Sequence, residues 1–151
     1  TRLETGMGHA IARPLHFTTP RADYPIIPLM LNTYYPPAPS PKRCVRLGQA
    51  LKQVIDGYAG DQGVVIMGSG GLSHIMIDED LDHGFLDALE RNDLDYMAAM
   101  DPAQLTTGTS EIRNWIATAG AGTTPGRSID YVPAYRNAHG IGCAMGFAVW
   151  E

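Results

Sequence analysis

Apolar and polar positions along this chain follow two rhythms, one near two residues and one near 3.6, and the change of rhythm divides it into segments. Residues 1–23 carry neither; Gly6, Gly8, Pro14 and Pro20 punctuate them, so the reading there is loop. Residues 24–33 (YPIIPLMLNT) form a short apolar, partly β-branched run that fits a buried strand, with Pro25 and Pro28 confined to its start or to an edge. The YYPPAP stretch at 34–39 follows as a rigid extended loop, because proline fixes φ and restrains the residue before it. Ser40-Pro41 then opens a helix, with serine as N-cap and proline at the first helical position. Cys44, Leu47, Leu51, Val54, Ile55 and Tyr58 recur at helical spacing, which predicts a helix as far as Tyr58, closed by Gly60 and Gly63.

A second short apolar strand is expected at 64–67, ended by Gly68-Ser69-Gly70-Gly71. A helix fits 81–90, with Phe85, Leu86 and Leu89 on one side. Pro102 and the region 110–119 predict further helix, with Ile112, Trp115, Ile116 and Ala119 on one face; residues 128–135 and 141–150 read as two closing strands. Strand, helix, strand, helix, helix, strand, strand is the order of an α/β layered domain. The expected fold is one domain over residues 1–151, its central, mostly parallel or mixed sheet flanked by helices. The first two strands would pair in parallel through a right-handed crossover.

Composition narrows the function classes. Apolar residues make up 44% and charged residues 18%, as in an ordinary globular protein rather than a disordered one. A formal charge of −5, with basic residues scattered and Lys42-Arg43 the one adjacent pair, argues against a nucleic-acid surface. No apolar run reaches the ~20 residues of a membrane span. Cys44 and Cys143 are far apart and outside any CxxC spacing, so neither a disulfide framework nor a structural zinc site is indicated, and a reducing cytoplasm is the expected compartment.

The sharpest chemical signal is Gly68-Ser69-Gly70-Gly71-Leu72-Ser73-His74, directly after the 64–67 strand, where α/β sheets place ligands. It lacks the lysine and spacing of a phosphate loop, and neither Ser69 nor Ser73 has the G-x-S-x-G flanks of a hydrolase elbow. What remains is a glycine turn that carries either an incidental polar histidine or a general acid/base, His74. Glu111 is the second signal. In a helix it shares a face with Trp115, so its carboxylate either points inward, where it needs a partner or a metal, or is a first-turn glutamate favoured by the helix dipole with Thr109 or Ser110 as cap. His9 is the third, in a segment too irregular to assign. The acidic run Asp78-Glu79-Asp80 with Asp82 lacks the glycine and alternation of a calcium loop and reads as a solvated helix start.

In order along the chain, His9 before Pro14-Leu15, Asn32-Thr33-Tyr34-Tyr35-Pro36-Pro37, Pro39-Ser40-Pro41-Lys42-Arg43-Cys44 with Leu47-Gly48, the GSGGLSH block, Phe85-Leu86, and Glu111 four residues before Trp115 together resemble the class III extradiol ring-cleavage dioxygenases, the superfamily of the protocatechuate 4,5-dioxygenase catalytic subunit. The resemblance implies a non-haem Fe(II) enzyme that cleaves a catechol-type ring with O2. It assigns Glu111 to the metal, His74 to acid/base work and His9 to catalysis and substrate contact, through a hydrogen bond to substrate or bound oxygen; Ser73 is a further substrate contact. The family's two iron-binding histidines lie in its N-terminal half, upstream of the position His9 matches. The chain is therefore expected to be the C-terminal part of a larger catalytic domain, incomplete and inactive alone. Homo-oligomerisation is expected, and some relatives add a small accessory subunit. Arg13, Arg113 and Arg136 are the candidates to pair with a substrate carboxylate. The competing reading is a non-catalytic binding or signalling relative that keeps the fold without the full metal triad.

Overall fold

The computed structural model describes residues 7–21 and 23–151. They fall into two compact units, Thr1–Leu31 and Asn32–Glu151, where the pattern of the sequence reads as one domain. The first unit contains α1 (His9–Thr18), a helix with Gly8 at its N-cap and Pro14 inside it. This corrects the expectation of loop: Pro14 removes one intrahelical donor without ending the helix, and Thr18 Oγ1 returns a bond to the Pro14 carbonyl at 2.9 Å.

In the second unit, α2 (Pro41–Asp56) begins where the serine–proline pair places it, and the Ser40 side chain accepts from Arg43 N. β1 (His74–Met76), α3 (Glu79–Glu90), α4 (Leu94–Ala99), a 3₁₀ turn (Thr107–Glu111), α5 (Ile112–Ala121), β2 (Arg127–Tyr135) and β3 (Ile141–Val149) follow. Helix α2 lies against α5 through small residues. A side chain on Gly48 would meet the Ala117 carbonyl oxygen at 2.1 Å, so the two backbones approach as closely as glycine permits. Phe85, Leu89, Met97, Leu105, Ile112 and Ile116 close the core, each buried, with Phe85 edge-on to Trp115 at 6.2 Å between ring centroids.

The sheet differs from the expected one. Its three strands run in the order β1-β3-β2, and both pairs are antiparallel. Residues 24–33 and 64–67 join no ladder among the described residues, and Ile27, Met30 and Val65 are 93%, 84% and 86% exposed. Apolar character marks a segment that is able to be buried, but a strand also needs a neighbour for its N–H and C=O groups, and Pro25 and Pro28 each lack a donor. The expected parallel pair is therefore absent from the described residues, while the closing β2–β3 hairpin forms as expected. No helix among the described residues is long and apolar enough to cross a membrane.

What this fold does for function is fix one loop. Leu72 N donates to Ala144 O at 2.9 Å and Ala144 N donates to Ser73 O at 2.8 Å, which seats residues 72–73 on the central strand β3 just before β1 starts at His74.

Candidate active site

Helix α5 and the turn before it grip the glycine loop through its backbone. Glu111 Oε2 accepts from Gly71 N at 2.8 Å, Asn114 Nδ2 donates to Ser69 O at 2.8 Å, and Trp115 Nε1 donates to Gly70 O at 2.9 Å. The helical spacing that puts Glu111 and Trp115 on one face thus aims both at the same loop. Glu111 stands at the N-terminal end of α5 but caps no amide of that helix; its hydrogen bond goes to the glycine loop instead, and Oε1 makes no hydrogen bond among the described residues. Its half-buried carboxylate keeps one oxygen free.

His74 is held by a different set of contacts. Its backbone N donates to Thr109 Oγ1 at 3.0 Å, and Nδ1 lies 2.8 Å from the Leu72 carbonyl oxygen. A carbonyl only accepts, so Nδ1 is the donor, and in the neutral imidazole Nε2 carries the lone pair. The ring sits between two glycines. A side chain on Gly71 would land 2.2 Å from His74 Cε1 and 2.9 Å from Nε2; one on Gly108 would land 2.4 Å from His74 Cβ. Close approach is what these glycines supply. Gly71 joins the two candidate residues, because its amide binds Glu111 and its Cα faces the imidazole.

The other expected site residues lie elsewhere or play other parts. His9 is exposed at the start of α1 in the first unit. Ser73, expected at the substrate, is fully buried; its Oγ donates to Asp82 Oδ2 at 2.6 Å and accepts from Asp78 N at 2.9 Å, so the hydroxyl is spent inside the core. Arg113 is buried and donates to the Pro39 and Leu105 carbonyls at 2.8 and 2.6 Å, which takes it out of the contest for a substrate carboxylate.

Three residues have a part at the site that the sequence pattern does not assign them. Thr109 also reaches back to the His74 carbonyl at 3.4 Å, so it holds the histidine's backbone rather than capping a helix. Cys143 stands opposite His74 in the β1–β3 register; burial pushes its thiol up, and the nearby Glu111 and Asp82 carboxylates add to that. Asp82 is the largest miss. It is fully buried, and it accepts from Ser73 N at 2.9 Å, Ser73 Oγ and Tyr131 OH at 2.8 Å. Burial raises its carboxyl above the ordinary value, against the lowering effect of the Ser73 and Tyr131 hydrogen bonds. A signal was present: 82, 85, 86 and 89 form one i, i+3, i+4, i+7 stripe, so Asp82 falls on the apolar face of α3.

A metal ion needs several convergent donors. Among the described residues, no three His, Cys, Asp or Glu side chains come together in that way. Glu111 fits as a single carboxylate donor, and His74, with Nδ1 engaged by Leu72, fits as an acid/base beside it. Alone they do not make an iron site.

Residues 2–145 match the family described as the catalytic LigB subunit of aromatic ring-opening dioxygenase. The chain belongs to that family, and with it to the class III extradiol dioxygenase superfamily. It is similar to a gallate dioxygenase of Pseudomonas putida, with 33% identity over 106 residues, covering 63% of this chain and 31% of that protein. It is also similar to two proteins named 2,3-dihydroxyphenylpropionate/2,3-dihydroxicinnamic acid 1,2-dioxygenase. The one from Photorhabdus laumondii is 39% identical over 67 residues, covering 44% of this chain and 20% of the relative; the one from Paraburkholderia xenovorans is 37% identical over 67 residues, covering 44% and 21%. The matched stretches thus span between a fifth and a third of these relatives' lengths.

Proposed function

We propose that this chain carries the acid/base part of an Fe(II)-dependent extradiol dioxygenase site that opens a catechol-type ring with O2. The observation that carries the reading is His74, with its proton fixed on Nδ1 and Nε2 free, on the same glycine loop that binds Glu111. A catechol hydroxyl is a poor acid, with a pKa near the tyrosine value of ~10, so its deprotonation at neutral pH needs a positioned base. His74 Nε2 takes that proton, while the Nδ1–H bond to Leu72 O steadies the imidazolium that results. The same nitrogen then returns the proton to a product oxygen as the ring opens. Glu111, through its free Oε1, is the carboxylate ligand, and the family resemblance assigns the two histidine ligands to residues outside this chain. Iron bound there would acidify the coordinated hydroxyl and bring O2 to the ring. His9 is assigned to substrate contact.

The test is a panel of variants in a form of the protein that includes the histidine ligands, read by iron content and by catechol-dependent oxygen uptake. His74→Ala is expected to keep iron and lose turnover by about 100-fold or more. Glu111→Ala is expected to lose the iron. His9→Ala is expected to change KM or substrate preference with iron retained. Unchanged turnover in His74→Ala would remove the histidine from the chemistry. A wild-type protein that neither binds iron nor consumes oxygen with any catechol would point to a non-catalytic relative.

A further inference from the structure

Asp82 and His74 do not touch, yet both grip one peptide group. The Leu72–Ser73 peptide donates its N–H to Asp82 Oδ1 at 2.9 Å, and its carbonyl oxygen accepts from His74 Nδ1 at 2.8 Å. The peptides on either side are tied to Ala144 of β3, so this plane has little freedom to rotate. Asp82 is fully buried, and none of the ion pairs among the described residues includes it. Its charge is met by three donors instead, namely the peptide N–H, Ser73 Oγ and Tyr131 OH.

A peptide is a single conjugated unit. A carboxylate that accepts at its N–H shifts electron density toward the carbonyl oxygen, which then accepts a hydrogen bond more strongly. A carboxylate bonded directly to Nδ1 fixes the tautomer and orientation of a catalytic histidine in hydrolytic triads. Here one peptide stands between the two groups.

We propose that Asp82 is a positioning residue for His74, acting through the Leu72–Ser73 peptide to hold the imidazole as the Nδ1–H tautomer with Nε2 as the reacting atom. The effect on tautomer stands on geometry alone; the consequence for turnover rests on the acid/base reading of His74. Tyr131 provides the contrast, since it bonds Asp82 but lies off the path to His74.

The experiment is NMR of chain labelled with ¹⁵N in histidine and ¹³C at the leucine carbonyls, which reports how much of His74 carries its proton on Nδ1 without needing substrate or metal. Wild type is expected in the Nδ1–H form, with a detectable coupling from that proton across the hydrogen bond to the Leu72 carbonyl. Asp82→Asn is expected to shift the tautomer ratio toward Nε2–H by about fivefold, the equivalent of weakening one hydrogen bond. Tyr131→Phe is expected to leave the ratio as it is. The proposal is overturned by an Nε2–H tautomer or a missing coupling in the wild type, by an unchanged ratio in folded Asp82→Asn, or by equal shifts in both variants. If Asp82→Asn does not fold, Asp82→Glu, which moves the carboxylate relative to the Ser73 amide, takes its place, and an unchanged ratio there overturns the proposal. In the complete enzyme, Asp82→Asn should lower kcat about 10-fold with KM unchanged; wild-type kcat in that variant would refute the link to turnover. A shifted tautomer in a protein with no ring-opening activity would instead sink the dioxygenase reading and leave the peptide relay standing.

Discussion

Gly71→Ala puts the geometry of the site under direct test. The added methyl carbon would lie 2.2 Å from His74 Cε1, 2.9 Å from Nε2 and 3.1 Å from the Ala144 carbonyl oxygen. Carbon atoms in contact sit ~3.5 Å or more apart, so the imidazole must move by roughly 1.3 Å. Loop movement is resisted, because the Gly71 amide is bonded to Glu111 and the adjoining Leu72 amide to Ala144. The ring is the softer partner, and it escapes only by giving up the Nδ1–H bond to Leu72. That loss and the crowding together cost about 1–3 kcal/mol of stability. The cost in rate is of similar size but read separately: a 1 Å misplacement of a reacting group costs about 100-fold. Oxygen uptake with a catechol, measured alongside iron content and thermal unfolding, separates the two effects. The expected variant is folded and iron-loaded, with kcat down about 100-fold. Turnover within about twofold of wild type would show that the contact between Gly71 and His74 does not set the position of the reacting nitrogen.

Two further outcomes test the surroundings. Ser110 Oγ is buried without a hydrogen-bond partner among the described residues, next in sequence to Glu111; Ser110→Ala should raise stability by about 1 kcal/mol in denaturant unfolding, and a loss of that size would reveal a partner for the hydroxyl. Burial and the Asp82 carboxylate hold the Tyr131 phenol above its ordinary value of 10.0. As pH rises past 10.0 the unfolded chain therefore loses this proton first, so stability falls with rising pH in that window and is intact below it. Tyr131→Phe should flatten that decline, and an equally steep decline in the variant would refute the assignment.

Helices and local motifs were legible in the sequence because their signals are local. Ser40-Pro41 places the start of α2, and the stripe from Phe85 to Leu89 places α3. Glu111 and Trp115 were expected on one face, and both do reach the glycine loop. The sheet was legible only where its partner was adjacent in sequence, in the β2–β3 hairpin. For residues 24–33 and 64–67 the apolar pattern carried no information about a neighbour, and neither run pairs. Ile75 adopts φ 70° within β1, a conformation that β-branched residues rarely take, so no propensity argument would have placed a strand there. Asp82 reads as solvated beside its acidic neighbours, whereas its place on the apolar stripe of α3 buries it. Ser73 follows the equally buried Leu72, so no alternation along the chain signals that its hydroxyl turns to Asp82 in the core.

The stitching of the glycine loop to α5 has an evolutionary side. Asn114 and Trp115 hold carbonyl oxygens, and Glu111 holds an amide, so the anchoring does not depend on which side chains the loop itself carries. His74 and Glu111 are thereby tied to one loop, whose path depends on its glycines and on the three side chains that hold its main chain. Under the proposed function, the residues that choose a ring substituent are free to vary while this pair stays in place.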